Sequence, residues 1–383
     1  MVLPPELVIL VTTVVAWFGF YLIVTLTLNV EYGFAGIPNF GKMLVVAGGA
    51  FVAGFFPGRF VVWLAGIDLS GIQPPPGIDP YIFRNTQIVT EVTSILSEDV
   101  GLSLMIFIAT LAVAAVVGAG LGYIAAYPTV RLREEFLAMT LLGVAEVWRL
   151  IGMRYEPLVG GAIGVQIPDP FAWIGGALRF QILPLIILGI ALLIFFYVRR
   201  LTKSPLGRVL RAVRDSEVAA ATVGKNIVNF RIRSLVVASA LGAIAGALFS
   251  FYTLSLTAVS FNRVWWTFWP WVMLLMGGMA NNWGVLLGTF TFVAARQLIF
   301  FYNDVLQPFI PFSVVWLDPL LLGGALLAIL MFRPQGILPE KPIKTLSPKE
   351  MRLGAIGEET AVKELGPGRA TPLRESRSEQ KPD

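Results

Sequence analysis

Apolar residues in this chain fall in long unbroken blocks, where an amphipathic helix or strand would space them at 3.6 or two residues. Leu7 to Val30, Gly101 to Tyr127, Phe180 to Val198 and Ser234 to Asn262 contain no charged side chain. A hydrocarbon core of about 30 Å takes about 20 apolar residues as helix, so each block predicts one crossing. Val264 to Ala295 is equally uncharged but too long for one span, and the run Gly277 to Gly284 interrupts it, predicting two short or broken helices. Weaker candidates are Met43 to Gly66, Phe136 to Ile151 and Val314 to Phe332. The expected fold is an all-α integral membrane protein of about nine (8–10) transmembrane helices. It would carry broken Gly-rich helices and an inverted repeat.

The charges explain how these blocks are joined. Only 14% of the 383 residues are charged, against about 25% in an ordinary soluble domain, and mean hydropathy is +0.76. Residues 199–233 hold nine basic residues and two acids, and residues 333–383 hold ten and eight. By the positive-inside rule the loop 199–233 is cytoplasmic, and an even number of crossings returns the tail to the same side. The loop Asp68 to Asp99, with five acids and one arginine, then falls outside, as does the N-terminus unless the segment from Glu31 to Gly66 crosses twice. Residues 1–338 read as a polytopic membrane domain, and residues 339–383, rich in Lys, Glu, Ser, Pro and Gly, as a disordered cytoplasmic tail. The first apolar run lacks a basic leader and is long enough to span, so no cleavable signal is expected.

Histidine and cysteine are both absent. That removes Ser-His-Asp and Cys-His nucleophiles, His-bound zinc, disulfides and iron–sulfur ligation, leaving transport, channel or scaffold roles. Gly36 to Lys42 satisfies seven positions of the phosphate-loop pattern, but Met43 stands where a Ser or Thr must hold Mg²⁺, and membrane spans flank it. Nucleotide binding by this chain is therefore rejected.

Two glycine-rich interruptions follow long spans at comparable places in the two halves. One contains Gly33, Gly36, Asn39, Gly41 and Lys42; the other contains Gly277, Gly278, Asn281, Asn282 and Gly284. Broken helices at matching places point to a translocation pathway, while close helix packing through small residues is the equally weighted alternative. Lys42, beside apolar runs, must snorkel, pair or line water; snorkelling is the default, with Glu31 as an available partner. Glu146 and Arg149 are spaced for an i,i+3 pair.

Within the basic loop, Ser204-Pro205 fits the start of a helix with Leu206, Val209, Leu210 and Val213 on one face and Arg208, Arg211 and Arg214 on another. It predicts an amphipathic helix on the inner membrane surface or against a partner. Asp215 to Gly224 then reads as a short helix with acids in its first turn, alanines on its face and a glycine cap. By composition alone, a solvated basic loop remains the alternative.

These residues resemble a known family. Ser204-Pro205-Leu206-Gly207-Arg208, Arg211-Ala212-Val213-Arg214-Asp215 and Val218-Ala219-Ala220 with Gly224 are similar to the coupling loop of ABC importer permeases, specifically the branched-chain amino acid permease family, M-type subunit. Gly33-Phe34-Ala35-Gly36, the stretch from Arg131 to Leu150, Gly160 to Gly164, Gly277 to Gly284 and Phe332-Arg333-Pro334-Gln335-Gly336 resemble further family motifs in register. Departures include Lys42, where a histidine or other polar residue is more usual, Ala280 for glycine, and Asn281 for serine.

The resemblance implies a permease subunit of an ATP-driven importer for branched-chain or other hydrophobic amino acids, multi-pass in the plasma membrane. Its partners would be a homologous permease, two cytoplasmic ATP-binding subunits and an extracellular substrate-binding protein. No cofactor would be bound by this chain; ATP-Mg would sit on the partner subunits. Arg211, Arg214, Asp215, Glu217, Ala219, Ala220 and Gly224 would couple to an ATPase. A urea or short-amide permease of the same architecture and, less favoured, an ion-coupled secondary transporter remain open. The cysteine-free background makes the topology directly testable: a Ser216→Cys variant should react with a membrane-impermeant maleimide only when the cytoplasmic face is exposed. Labelling of intact cells from outside would reverse the assignment.

Overall fold

The computed structural model describes residues 5–69, 74–75, 78–132, 134–309 and 313–340. The tail from residue 341 onward, read above as disordered, lies outside the described residues; the described chain continues through Pro339 and Glu340.

The apolar blocks become α-helices, because in hydrocarbon every backbone polar group must be bonded within its own segment. They are α1 (Pro5–Leu28), α2 (Lys42–Ala65), the shorter α3 (Asn85–Glu98), α4 (Val100–Arg131), α5 (Glu134–Arg154) and α6 (Ala177–Lys203). Next come the loop helices α7 (Pro205–Asp215) and α8 (Glu217–Thr222), then α9 (Ile227–Thr253), α10 (Trp269–Gly277), α11 (Asn282–Phe301) and α12 (Leu317–Phe332). Among the described residues seven helices are long and apolar enough to cross a bilayer. The other two expected crossings correspond to α10, nine residues long and preceded by a π-helix at Val264–Phe268, and to α12, sixteen residues long. Both fall short of the length a perpendicular span takes.

The centre is built from α1, α2 and α9. α9 packs along α2 and α4, and α1 lies between α6 and α11. The contacts among α2, α4 and α9 run through glycine. A Cβ on Gly49 would strike the carbonyl of Ala243, one on Gly246 the carbonyl of Val46, and ones on Gly118 and Gly122 the backbone and side chain of Ser239. Glycine is required at these places because main chain meets main chain, the small-residue packing that lipid-embedded helices favour.

At the end away from the basic loop, β1 (Val165–Gln166) pairs antiparallel with β2 (Ser255–Leu256), Val165 opposite Leu256. Asn85, at the start of α3, brackets this clasp, accepting from Gln166 N at 2.6 Å and donating to Gln166 O at 3.4 Å. Arg59 sits over the rings of Phe55 and Tyr81 and pairs with Asp79 at 2.9 Å. Burial pushes the Tyr81 hydroxyl up to about 12, although the Arg59 charge acts the other way. The described part of the acidic loop, from Ile78 to Asp99, thus lies at the end of the molecule away from the basic loop. Glu146 and Arg149 form the expected i,i+3 pair.

Gly246→Leu should drive α2 and α9 apart and cost about 1–3 kcal/mol, read as a lower midpoint in tryptophan-fluorescence melts of the detergent-purified protein. Gly120→Leu, at a position where a Cβ would meet no atom within 4 Å, should change stability by less than about 0.5 kcal/mol.

Candidate functional site

The site begins where α1 stops being an α-helix. Its last turn widens into a π-helix over Asn29–Phe34, a distortion that concentrates at functional positions. The chain then leaves helix and restarts as α2 at Lys42. Glu31 and Lys42 hold this turn together: Lys42 Nζ lies 2.7 Å from Glu31 Oε1, and both side chains are 0% exposed. Asn39 Nδ2 donates to Glu31 Oε2 at 3.1 Å, so both carboxylate oxygens are occupied. Asn39 Oδ1 accepts from Gly41 N at 2.8 Å, and Trp271 Nε1 donates to Asn39 O at 3.3 Å. The snorkelling expected of Lys42 does not occur. The ammonium points inward from the first turn of α2, where a desolvated charge needs a partner more than it needs the distant interface.

The second interruption meets the first, which spacing along the chain could not show. Asn29 Nδ2 donates to Asn282 Oδ1 at 2.9 Å, while Asn29 Oδ1 accepts from Ala280 N at 2.9 Å. Asn282 Nδ2 in turn donates to Thr202 Oγ1 at 2.9 Å, joining α1, α11 and α6 in one polar knot. Ala280 has φ of +57°, a left-handed conformation that costs a residue with a Cβ about 1–2 kcal/mol. This accounts for the glycine found there in the motif that the run resembles. Gly277 and Gly284 pack backbone to backbone. A closing strap crosses them: Ile337 N donates to Met276 O at 2.8 Å and Leu338 N to Gly277 O at 3.0 Å. Asn281 caps α11 through Trp283 N and donates to the carbonyls of Leu338 and Pro339. Gly278 is buried beneath the same strap.

The basic loop is tied to this knot. α7 buries Gly207, Leu210 and Val213, so its apolar face packs on α6, α9 and the π-turn of its own chain, where a bilayer or a partner was anticipated. Arg214 Nη1 donates to Gly33 O at 2.5 Å, and Nη2 reaches Asp215 and Glu340, each at 2.9 Å. Burial alone would lower the Arg214 pKa, but the Asp215 and Glu340 carboxylates outweigh it and hold the guanidinium above its ordinary value. The Arg211 guanidinium lies over the Phe34 ring and donates to Gly207 O and Thr202 O.

α8 follows with little covering. Ser216 Oγ accepts from Ala219 N at 3.3 Å as the N-cap, and Glu217 pairs with Arg231. Gly224, at φ of +75°, ends the helix: its N–H bonds Ala221 O and the next N–H bonds Ala220 O, a closure that a left-handed residue permits. Val218 and Val223 are 77% and 74% exposed, and Ala219 is exposed, while Ala220 is buried. A cavity of about 560 Å³ opens beside the loop, lined by Gly33, Gly36, Arg214, Met279 and Glu340 among others. Of the pathway candidates, Gly33 and Gly36 face this cavity; Asn39, Gly41, Lys42, Gly277, Gly278, Asn282 and Gly284 are buried in protein.

Sequence reasoning passed over Asn29, Thr202 and Glu340. Asn29 carried a usable signal, since it is an amide inside a run otherwise fit for lipid. Thr202, in the last turn of α6, and Glu340, beyond α12, sit among ordinary polar residues and carried none.

The family described as branched-chain amino acid transport system / permease component matches residues 10–331. The chain is 38% identical over 338 residues to the probable branched-chain amino acid transport permease protein LivM of Methanocaldococcus jannaschii, covering 88% of this chain and 95% of that protein. It is 27% identical over 253 residues to the high-affinity branched-chain amino acid transport system permease proteins LivM of Salmonella typhimurium and Escherichia coli, covering 60% of this chain and 56% of each. No solved structure matches it.

Lys42→Met should leave the Glu31 carboxylate buried without its cation and destabilise the protein by about 3–5 kcal/mol. Glu31→Gln combined with Lys42→Met should recover most of that loss in thermal melts. A double variant as unstable as Lys42→Met alone would mean the two charges do not act as a unit.

Proposed function

Since this chain belongs to the branched-chain amino acid transport permease family and is of the LivM type, we propose that it is one permease subunit of an ATP-driven importer of branched-chain or other hydrophobic amino acids. An extracellular binding protein delivers the substrate, a homologous permease completes the passage, and two cytoplasmic subunits bind ATP-Mg. The chain itself moves substrate and catalyses no reaction.

The observation that carries this reading is the pairing of an exposed, alanine-faced α8 with a direct bond from its neighbour Arg214 to the broken end of α1. An ATPase cleft that grips α8 displaces α7 with it, because one residue separates the two helices. Arg214 then transmits the displacement to Gly33 O, and the Asn29, Ala280, Asn282 and Thr202 knot carries it to α11 and α6. The glycine-rich interruptions act as the joints of this motion. We read α10 and α12 as the two additional crossings of a nine-span chain, its halves related as an inverted repeat. Each half carries a π-helix near its interruption.

Substrate shifts such an equilibrium only through different affinities for its two states, so a permease supplied by a binding protein needs no tight site of its own. The secondary-carrier alternative would use buried acids as ion sites. Glu31 is indeed buried, but its oxygens are occupied by Lys42 and Asn39.

The test is purification of the tagged chain from native membranes in mild detergent, followed by leucine uptake into proteoliposomes holding ATP and the companion binding protein. The expected result is co-purification of a second permease and two ATPases, with uptake that requires ATP. Ala220→Arg and Gly224→Pro should each abolish uptake while membrane insertion persists; proline can neither adopt φ of +75° nor donate to Ala221 O. Robust transport by the chain alone under an ion gradient would replace the importer reading with a secondary carrier.

A further inference from the structure

The last two turns of α6 carry a second feature that the transport reading does not use. Phe196, Arg199, Arg200, Lys203 and Ser204 bound a groove of about 480 Å³ at the end of the Leu178–Lys203 span. Its positions 196, 199, 200 and 203 fall at i, i+3, i+4 and i+7, one face of a helix, and among the described residues no acidic side chain lines it. Above it on the same side, Leu193, Phe196 and Tyr197 are 69%, 56% and 50% exposed, an apolar strip facing away from the protein. Beside it lies Trp283 at the start of α11, half-exposed, with the Arg199 guanidinium 5.2 Å from its ring and Phe195 packed edge-on against it.

Three cations at the boundary between an apolar span and water, beside an interfacial tryptophan and above an exposed apolar strip, match the two ends of an anionic lipid. Water and small anions would satisfy the cations but leave the strip unexplained. We propose that this groove binds the headgroup phosphate of an anionic glycerophospholipid, with an acyl chain along Leu193, Phe196 and Tyr197.

Binding there reaches the transport machinery through one helical turn. Thr202 lies between Arg200 and Lys203 on the opposite, buried face of α6. Its Oγ1 donates to Arg199 O at 3.2 Å and accepts from Asn282 Nδ2. A headgroup that fixes the last turn of α6 therefore fixes one anchor of the polar knot, and an unoccupied groove leaves it to fray. This consequence rests on the importer reading; the lipid site itself does not.

The intact importer, purified with its partner subunits, is examined by native mass spectrometry and in nanodiscs of phosphatidylcholine alone or of an equal mixture with phosphatidylglycerol. The expected results are retained phosphatidylglycerol on the parent complex and faster ATP hydrolysis in the mixed bilayer. In the Arg199→Gln/Arg200→Gln/Lys203→Gln variant, phosphatidylglycerol binding should fall about 100-fold and the stimulation should vanish. Arg199→Lys/Arg200→Lys, which keeps the charge, should retain most of both. Equal phosphatidylglycerol retention by the parent and neutral variants would overturn the site, as would a neutral variant that keeps its lipid but loses its ATPase subunits, since the patch would then be a protein interface. A parent complex that binds phosphatidylglycerol but imports a substrate other than hydrophobic amino acids would leave the lipid site standing and remove only the transport reading.

Discussion

A carboxylate and an ammonium in direct contact and shut off from bulk solvent cannot separate cheaply, and Glu31 and Lys42 are in that position. Eleven residues apart in sequence, they fix where α1 ends and α2 begins, because any other path for the intervening loop would strand one charge in a low-dielectric interior. Asn39 completes the carboxylate, and Trp271 holds the Asn39 carbonyl. The turn from Asn29 to Lys42 is consequently a corner pinned at Glu31, Asn39 and Lys42, and the neighbouring segments are organised against it. The second interruption hangs from Asn29, and α7 packs beneath the π-turn.

From this corner outward, the molecule divides into parts that hold and parts that reach. The knot of Asn29, Ala280, Asn282 and Thr202 and the strap from Gly336 to Glu340 join four segments distant in sequence through hydrogen bonds. α8 does the opposite, exposing Val218, Ala219 and Val223, which none of the described residues covers. Arg214 spans the two, bonded to the corner at Gly33 and to the strap at Glu340. Its guanidinium is charged at any ordinary pH, as an arginine's is, and the Asp215 and Glu340 carboxylates reinforce that charge.

Most of the helices were legible in the sequence because lipid imposes one rule everywhere: a span must be apolar and must bond its own backbone. Charge bias placed the acidic and basic loops at opposite ends by the same economy. The short α8, with Glu217 in its first turn and its glycine cap, was legible because capping is local chemistry, whereas Asp215, expected in the same first turn, closes α7 instead. What escaped was pairing at a distance. Lys42 could satisfy its charge in several ways, and only the fold brings Glu31 to within 2.7 Å. Likewise α7 has the periodicity of a surface-lying helix, yet its apolar face is covered by α6, α9 and the π-turn, a choice that local spacing does not reveal. The left-handed Ala280 was visible only as a departure from a motif, and its backbone angle supplies the reason for the motif.

The glycine contacts of α2 with α9 bear on where a passage can exist at all. Side-chain layers between helices are compressible, since rotamers can change and leave room; main chain resting on main chain at Gly49 and Gly246 has no such slack. Opening a gap between these helices wide enough for an amino acid would break close contacts at several levels at once, with nothing to refill them. The pair therefore behaves as a wall: the space between α2 and α9 is closed by their own main chain, and a passage for solute does not run between them.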